Sequence, residues 1–123
     1  MRFAALLGLV VAATMGVGCP LFAQDLDNRE NFARAYALYS QGDLPEAKEL
    51  FSKARDSKFR LADYSLYYLA LIASNEGNWD ESRQLLAQLK RRYPQSIWYY
   101  PAGLQWAKID IAEKEYAQAV EAL

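Results

Sequence analysis

The chain has 123 residues, with 14 Lys and Arg against 15 Asp and Glu, no His and a single Cys. So even a balance excludes the clustered basic excess of a nucleic-acid footprint. Without His, His general bases, Ser-His and Cys-His nucleophile pairs and the ordinary zinc sets are excluded, and no cofactor is expected.

The first predicted element is a leader. Met1-Arg2 supplies one positive charge, Phe3 to Val17 runs uncharged, and Pro20 precedes Leu21-Phe22-Ala23 and the polar Gln24-Asp25. Positive, apolar, small and then polar is the order of a secretory signal peptide over residues 1–23, cut after Ala23. It predicts a periplasmic location. Two rivals attach the chain to a membrane. The uncharged run is long enough for an uncleaved anchor, and Gly16-Val17-Gly18-Cys19 resembles a lipobox, with lipidation at Cys19. Gly16 stands where Leu, Val or Ile is usual, and Pro20 follows the Cys. Cleavage after Ala23 removes one Arg and no acid, leaving 13 basic and 15 acidic residues and no Cys. The mature part therefore forms no disulfide of its own.

From Asp25 onward every periodic stretch reads as helix. Helix one covers Asn28 to Gln41, with Asp27 as N-cap, Glu30 completing a capping box, and Phe32, Ala35, Tyr36 and Tyr39 on one face. Gly42-Asp43 ends it. Helix two covers Pro45 to Ser57, with Ala47, Leu50, Phe51 and Ala54 inward and Pro45 at the first helical position. Helix three covers Ala62 to Asn75, with Leu66, Leu69, Ala70 and Ala73 inward, and Glu76-Gly77-Asn78 turns the chain. Helix four covers Asp80 to Tyr93, with Ser82, Leu85, Leu86 and Leu89 inward. Helix five starts between Ile97 and Pro101 and runs to Glu113. Helix six begins near Tyr116.

The turns repeat. Gly42-Asp43-Leu44-Pro45-Glu46-Ala47 aligns with Gly77-Asn78-Trp79-Asp80-Glu81-Ser82 at an offset of 35, and with Lys114-Glu115-Tyr116-Ala117-Gln118-Ala119 at a further 37. Two helices that cross closely need a small side chain at the crossing. Ala47, Ser82 and Ala119 supply it, with Phe51, Leu86 and Leu123 four residues on. Ala35, Ala70 and Ala107 are the matching small residues of the first helices, and Leu44, Trp79 and Tyr116 pack back over each turn. A helix-turn-helix unit with a period near 34 resembles the tetratricopeptide repeat. The resemblance covers residues 28 to 123 and implies an all-α hairpin solenoid of units 28–60, 61–95 and a truncated 96–123. Arg34 departs from it, standing where a large apolar residue is usual.

A narrower resemblance rests on Leu61-Ala62-Asp63-Tyr64-Ser65-Leu66-Tyr67-Tyr68-Leu69-Ala70 and Tyr93-Pro94-Gln95-Ser96-Ile97-Trp98. These strings are similar to the helical superhelix of soluble lytic murein transglycosylases. The resemblance implies a non-catalytic scaffold that positions peptidoglycan glycan strands. The catalytic glutamate belongs to a lysozyme-like C-terminal domain, which is expected to lie beyond Leu123, so no residue here inherits its role. The Tyr-Pro-x-Ser step also resembles envelope adaptors that bind proteins or peptides, which is the alternative reading.

Tyr64, Tyr67, Trp98, Tyr99 and Tyr100 are the candidate glycan- or partner-contact residues, set against the alternative that such rings simply pack between units. Lys90-Arg91-Arg92 reads as a solvated helix end whose cations suit the C-terminal dipole. The carboxylates Glu46 and Glu49, Glu76 and Asp80, and Glu113 and Glu115 fall on turns or polar faces, without the burial a catalytic acid needs. Helix six is two turns long, too short to hold alone, which predicts marginal stability or self-association for these residues by themselves.

Overall fold

The computed structural model describes residues 20–56 and 58–122, so the leader to Cys19, Ser57 and Leu123 lie outside the described residues. Five helices follow in order: α1 Pro20–Gln41, α2 Leu44–Lys53, α3 Ala62–Asn75, α4 Trp79–Arg92 and α5 Tyr99–Glu121. No strand occurs among the described residues. The chain is an all-α stack of antiparallel hairpins, α1 on α2 and α3 on α4, with α2 also against α3 and α4 against α5.

Both hairpin turns are built alike. Gly42 and Gly77 adopt φ of 85° and 77°, the left-handed conformation that closes a helix. Asp43 N–H donates to the Leu38 carbonyl at 2.9 Å and Gly42 N–H to Tyr39 at 3.1 Å. Asn78 to Ala73 and Gly77 to Ser74 repeat this at 2.9 and 3.1 Å. These paired bonds satisfy carbonyls that a helix end leaves without partners. Leu44 and Trp79 pack back on the core.

The crossings are small, as the repeat requires. Ala35, Ala47, Ala70 and Ser82 are fully buried, and Phe51 and Leu86 fill the next layer. Ser82 Oγ donates to the Ala70 carbonyl at 2.7 Å, and Ser65 Oγ to that of Ala54 at 2.9 Å. Both buried hydroxyls are thereby satisfied. Leu66, Leu69, Ile72, Ala73, Leu85 and Leu89 complete the main core. A smaller cluster of Ala54, Phe59 and Ala62 closes the link between hairpins.

Ion pairs repeat with the same period. Lys48 on α2 reaches Glu76 at 3.0 Å and Glu81 at 3.7 Å. Thirty-five residues on, Arg83 on α4 reaches Asp110 on α5 at 2.7 Å and bonds Glu113 as well. Each cation ties its helix to the next unit.

Three expectations are corrected. α1 begins at Pro20, not Asn28, so Asp27 lies inside a helix and caps nothing. Gln24 Nε2 bonds the buried Asn28 Oδ1 within that added length. Tyr36 faces outward, 48% exposed. The turn expected at Lys114-Glu115 does not form, and α5 runs unbroken for 23 residues. Residues 111–117, Ile-Ala-Glu-Lys-Glu-Tyr-Ala, hold no Gly and are mostly strong helix formers, so nothing there favours the left-handed residue that both true turns use. Ala107 and Ala119 are consequently exposed, unlike their counterparts in the first two units.

Candidate functional site

The aromatic residues gather on one side of the stack, at the junction of α1, α3 and the start of α5. Tyr68 is the hub. Its ring stacks on Phe51 at 5.2 Å with planes 6° apart, and meets Tyr39, Tyr36 and Trp98 edge-on or tilted at 5.0, 5.7 and 6.0 Å. Tyr67 stacks on Trp98 at 4.2 Å, and Tyr64 meets the same indole edge-on at 5.3 Å. Such offset and edge contacts are each favourable by about 0.5–1.5 kcal/mol beyond burial. Burial raises the Tyr67 and Tyr68 hydroxyl pKa above the usual phenol value, with neighbouring tyrosines adding to it.

Trp98 is held by the turn before α5. Asp63 Oδ2 accepts from Ser96 Oγ at 2.5 Å, and Ser96 Oγ accepts the Trp98 backbone N–H at 3.1 Å. Asp63 Oδ1 also accepts the Tyr64 N–H at 3.0 Å. One carboxylate therefore ties the start of α3 to the backbone that carries the Trp98 indole. Ser96 lies in the turn ahead of α5, which starts at Tyr99. Pro101 then falls in the first turn, where no helical N–H is required. The Tyr93-Pro94-Gln95-Ser96 step is thus a device that positions Trp98.

Beside these rings lies a groove of about 270 Å³ lined by Phe32, Tyr36, Tyr64 and Tyr68. Phe32 lines it and lies 5.6 Å from Phe51 and 6.3 Å from Tyr64 between ring centres. Tyr36 and Tyr64 are only partly covered. The five candidate residues therefore divide. Tyr64 borders the groove, whereas Tyr67 and Trp98 are half-buried in ring-on-ring packing. Tyr99 lies under the Lys90 ammonium at 4.7 Å, and Tyr100 projects outward, 84% exposed. Phe32 and Tyr36, which the helical spacing sets on one face of the first helix, both line the groove, and Phe32 packs against the core as well. The signal for them was weak, since a ring at helical spacing reads the same whether it faces a neighbour or a cleft.

The carboxylates lie elsewhere. Glu76 pairs with Lys48, Glu49 with Lys53, and Asp80 and Glu113 with Arg83. The bond to Glu76 is the main cause that raises the Lys48 pKa. Two other clefts, at Gly77–Glu81 with Glu113 and at Gln24, Asp27, Glu30, Asn31 and Lys53, are polar. Among the described residues no set of three or more His, Cys, Asp or Glu is placed to hold a metal ion. No described helix is long and apolar enough to cross a membrane.

Fold and site together define an α-hairpin repeat protein with an aromatic groove on its first helices. Comparison with known families agrees, because residues 64–96 match the tetratricopeptide repeat. That segment is the α3–α4 hairpin with the turn that follows it. No curated protein and no solved structure matches the chain.

Proposed function

We propose that this chain is a non-catalytic interaction scaffold of the cell envelope, which binds a peptide or protein segment in the groove of Phe32, Tyr36, Tyr64 and Tyr68. The groove is the observation that carries the reading. Two of its rings, Phe32 and Tyr68, pack on the buried Phe51, so it offers apolar contact area with little side-chain freedom left to lose. Tetratricopeptide repeats generally mediate protein–protein contact, and the matched hairpin supplies two of the four lining rings. The partner chemistry is a short segment with aliphatic or proline side chains against the rings and backbone groups near the tyrosine hydroxyls. Export rests on the leader pattern of residues 1–23.

The second reading makes the chain the helical scaffold of a lytic transglycosylase, touching glycan strands. It draws on the Leu61–Ala70 string and on Tyr100, whose open ring suits a sugar face. One experiment separates the two. A displayed random-peptide library is panned against the purified chain, and the same chain is sedimented with isolated peptidoglycan sacculi. The adaptor reading expects peptides whose binding falls about tenfold or more in Tyr36→Ala and Tyr64→Ala, with no sedimentation. Peptides indifferent to both substitutions would remove it. Sedimentation lost in Tyr100→Ala would favour the glycan scaffold.

A further inference from the structure

Charge is sorted along the length of the hairpins. Asp43, Glu46, Glu76, Asp80 and Glu81 lie at or beside the two glycine turns, with Lys48 bonded to Glu76 and Glu81. The opposite end, made by the link between α2 and α3 and by the last turn of α4, is basic. Arg55, Lys58 and Arg60 stand on the link, and Arg91 and Arg92 close α4, all five exposed. The two pieces are neighbours, because Leu61 and Tyr93 pack on the same small cluster of Ala54, Phe59 and Ala62. The acids nearest these cations are engaged with neutral donors. Asp56 Oδ1 accepts the Lys58 backbone N–H at 3.0 Å, and the Asp63 oxygens accept from Tyr64 N–H and Ser96 Oγ. Among the described residues, none of the five cations is in an ion pair. On α1, Asp25 pairs with Arg29, while Asp27 and Glu30 line a separate cleft with Lys53.

The aromatic groove opens onto this basic end. Phe32 and Tyr64 line it one helical turn nearer the link than Tyr36 and Tyr68, about 6 Å along the axis. The Phe32 ring lies 6.1 Å from that of Phe59, and Arg60 is the next residue, in the turn that starts α3. An extended segment in the groove therefore runs toward cations at one end and toward acids at the other. We propose that the segment bound there carries acidic residues on the side of its apolar anchor that leaves past Phe32 and Tyr64, where Arg55, Lys58 and Arg60 stand. This rests on the groove reading and adds to it the charge and direction of the partner. Complementary charge gives specificity and a faster encounter more than raw affinity, so the cations orient a segment that the rings hold. Exposed cations act through water, so each contributes little and salt screens it.

The test starts from a library peptide whose binding falls in Tyr36→Ala and Tyr64→Ala. It is resynthesised with a short run of aspartates, serines or lysines at one end or the other, and binding is followed by fluorescence anisotropy at about 50 and about 500 mM salt. Aspartates at one end only should tighten binding about fivefold over serines, and lysines at that end should weaken it. The gain should shrink below about twofold at the higher salt. It should vanish in the double variant Arg55→Glu with Arg60→Glu and persist in Lys114→Glu on the far half of α5. All three positions are exposed, so each variant should keep the parent's helical circular dichroism. No gain from aspartates, an equal gain at both ends, or a gain that survives the double charge reversal would overturn the inference and leave the groove reading standing. A library with no peptide sensitive to the two tyrosine changes would overturn both.

Discussion

Leucine placed in turn at Ala47, Ser82 and Ala119 probes the repeat at three equivalent positions with opposite expectations. Ala47 and Ser82 are fully covered where α2 crosses α1 and α4 crosses α3. A leucine there forces three further carbons into close-packed space, at about 1–3 kcal/mol. At Ser82 it also removes the 2.7 Å bond to the Ala70 carbonyl, about 0.5–1.5 kcal/mol more. Domains are stable by only about 5–15 kcal/mol, and small ones lie at the low end. Either change therefore removes a large part of the total. Ala119 sits in water on α5, and leucine there should shift stability by no more than about 0.5 kcal/mol. The assay is urea unfolding followed by helical circular dichroism in dilute protein. Ser82→Ala serves as a control and should cost only about 1 kcal/mol, since the hydroxyl leaves with its bond and no buried donor is stranded. A loss at Ala119→Leu as large as at Ala47→Leu would refute the unbroken α5. Tolerance at Ala47 and Ser82 would refute the close crossings.

Gly77→Ala meets no atom within 4 Å, so its cost is the left-handed backbone alone, about 1–2 kcal/mol by urea unfolding. Ser96→Ala frees the turn that carries Trp98 and should lower stability by about 1 kcal/mol while changing the tryptophan fluorescence of the folded chain. Alkali should destabilise the fold. The folded Tyr67, Tyr68 and Tyr93 hold their protons above the ordinary 10.0, and Lys48 above 10.5, so the unfolded chain releases protons first. Stability is then full below pH 10 and falls as pH rises through the folded values. Ultraviolet titration of phenolate should show these tyrosines ionising late and together with unfolding.

Legibility followed the strength of local signals. The sequence reading placed α3 at Ala62–Asn75, where the structure has it, because an apolar face and a glycine turn mark it at once. The Gly42 and Gly77 turns, the buried alanines and Ser82 were legible for the same reason. The fifth helix was misread because Lys114-Glu115 matches the turns in register yet lacks the one residue that makes them turns. Asp27 and Glu30 imitate a capping box inside a helix that continues back to Pro20, so the local pattern alone starts α1 too late. In the site, aromatic richness was visible, but the division of labour among the rings was not. Tyr67 and Trp98 became packing partners and Tyr36 a groove residue through contacts across helices that no local pattern encodes. The Asp63–Ser96–Trp98 chain spans more than thirty residues and was equally invisible.

The most direct measurement is a backbone amide shift map of the labelled chain titrated with a peptide selected from the displayed library. The account predicts changes concentrated at Phe32, Tyr36, Tyr64 and Tyr68, fading along α4 and the far end of α5. Changes centred on the polar clefts near Gly77 or Asp27, with the four groove residues unmoved, would contradict it.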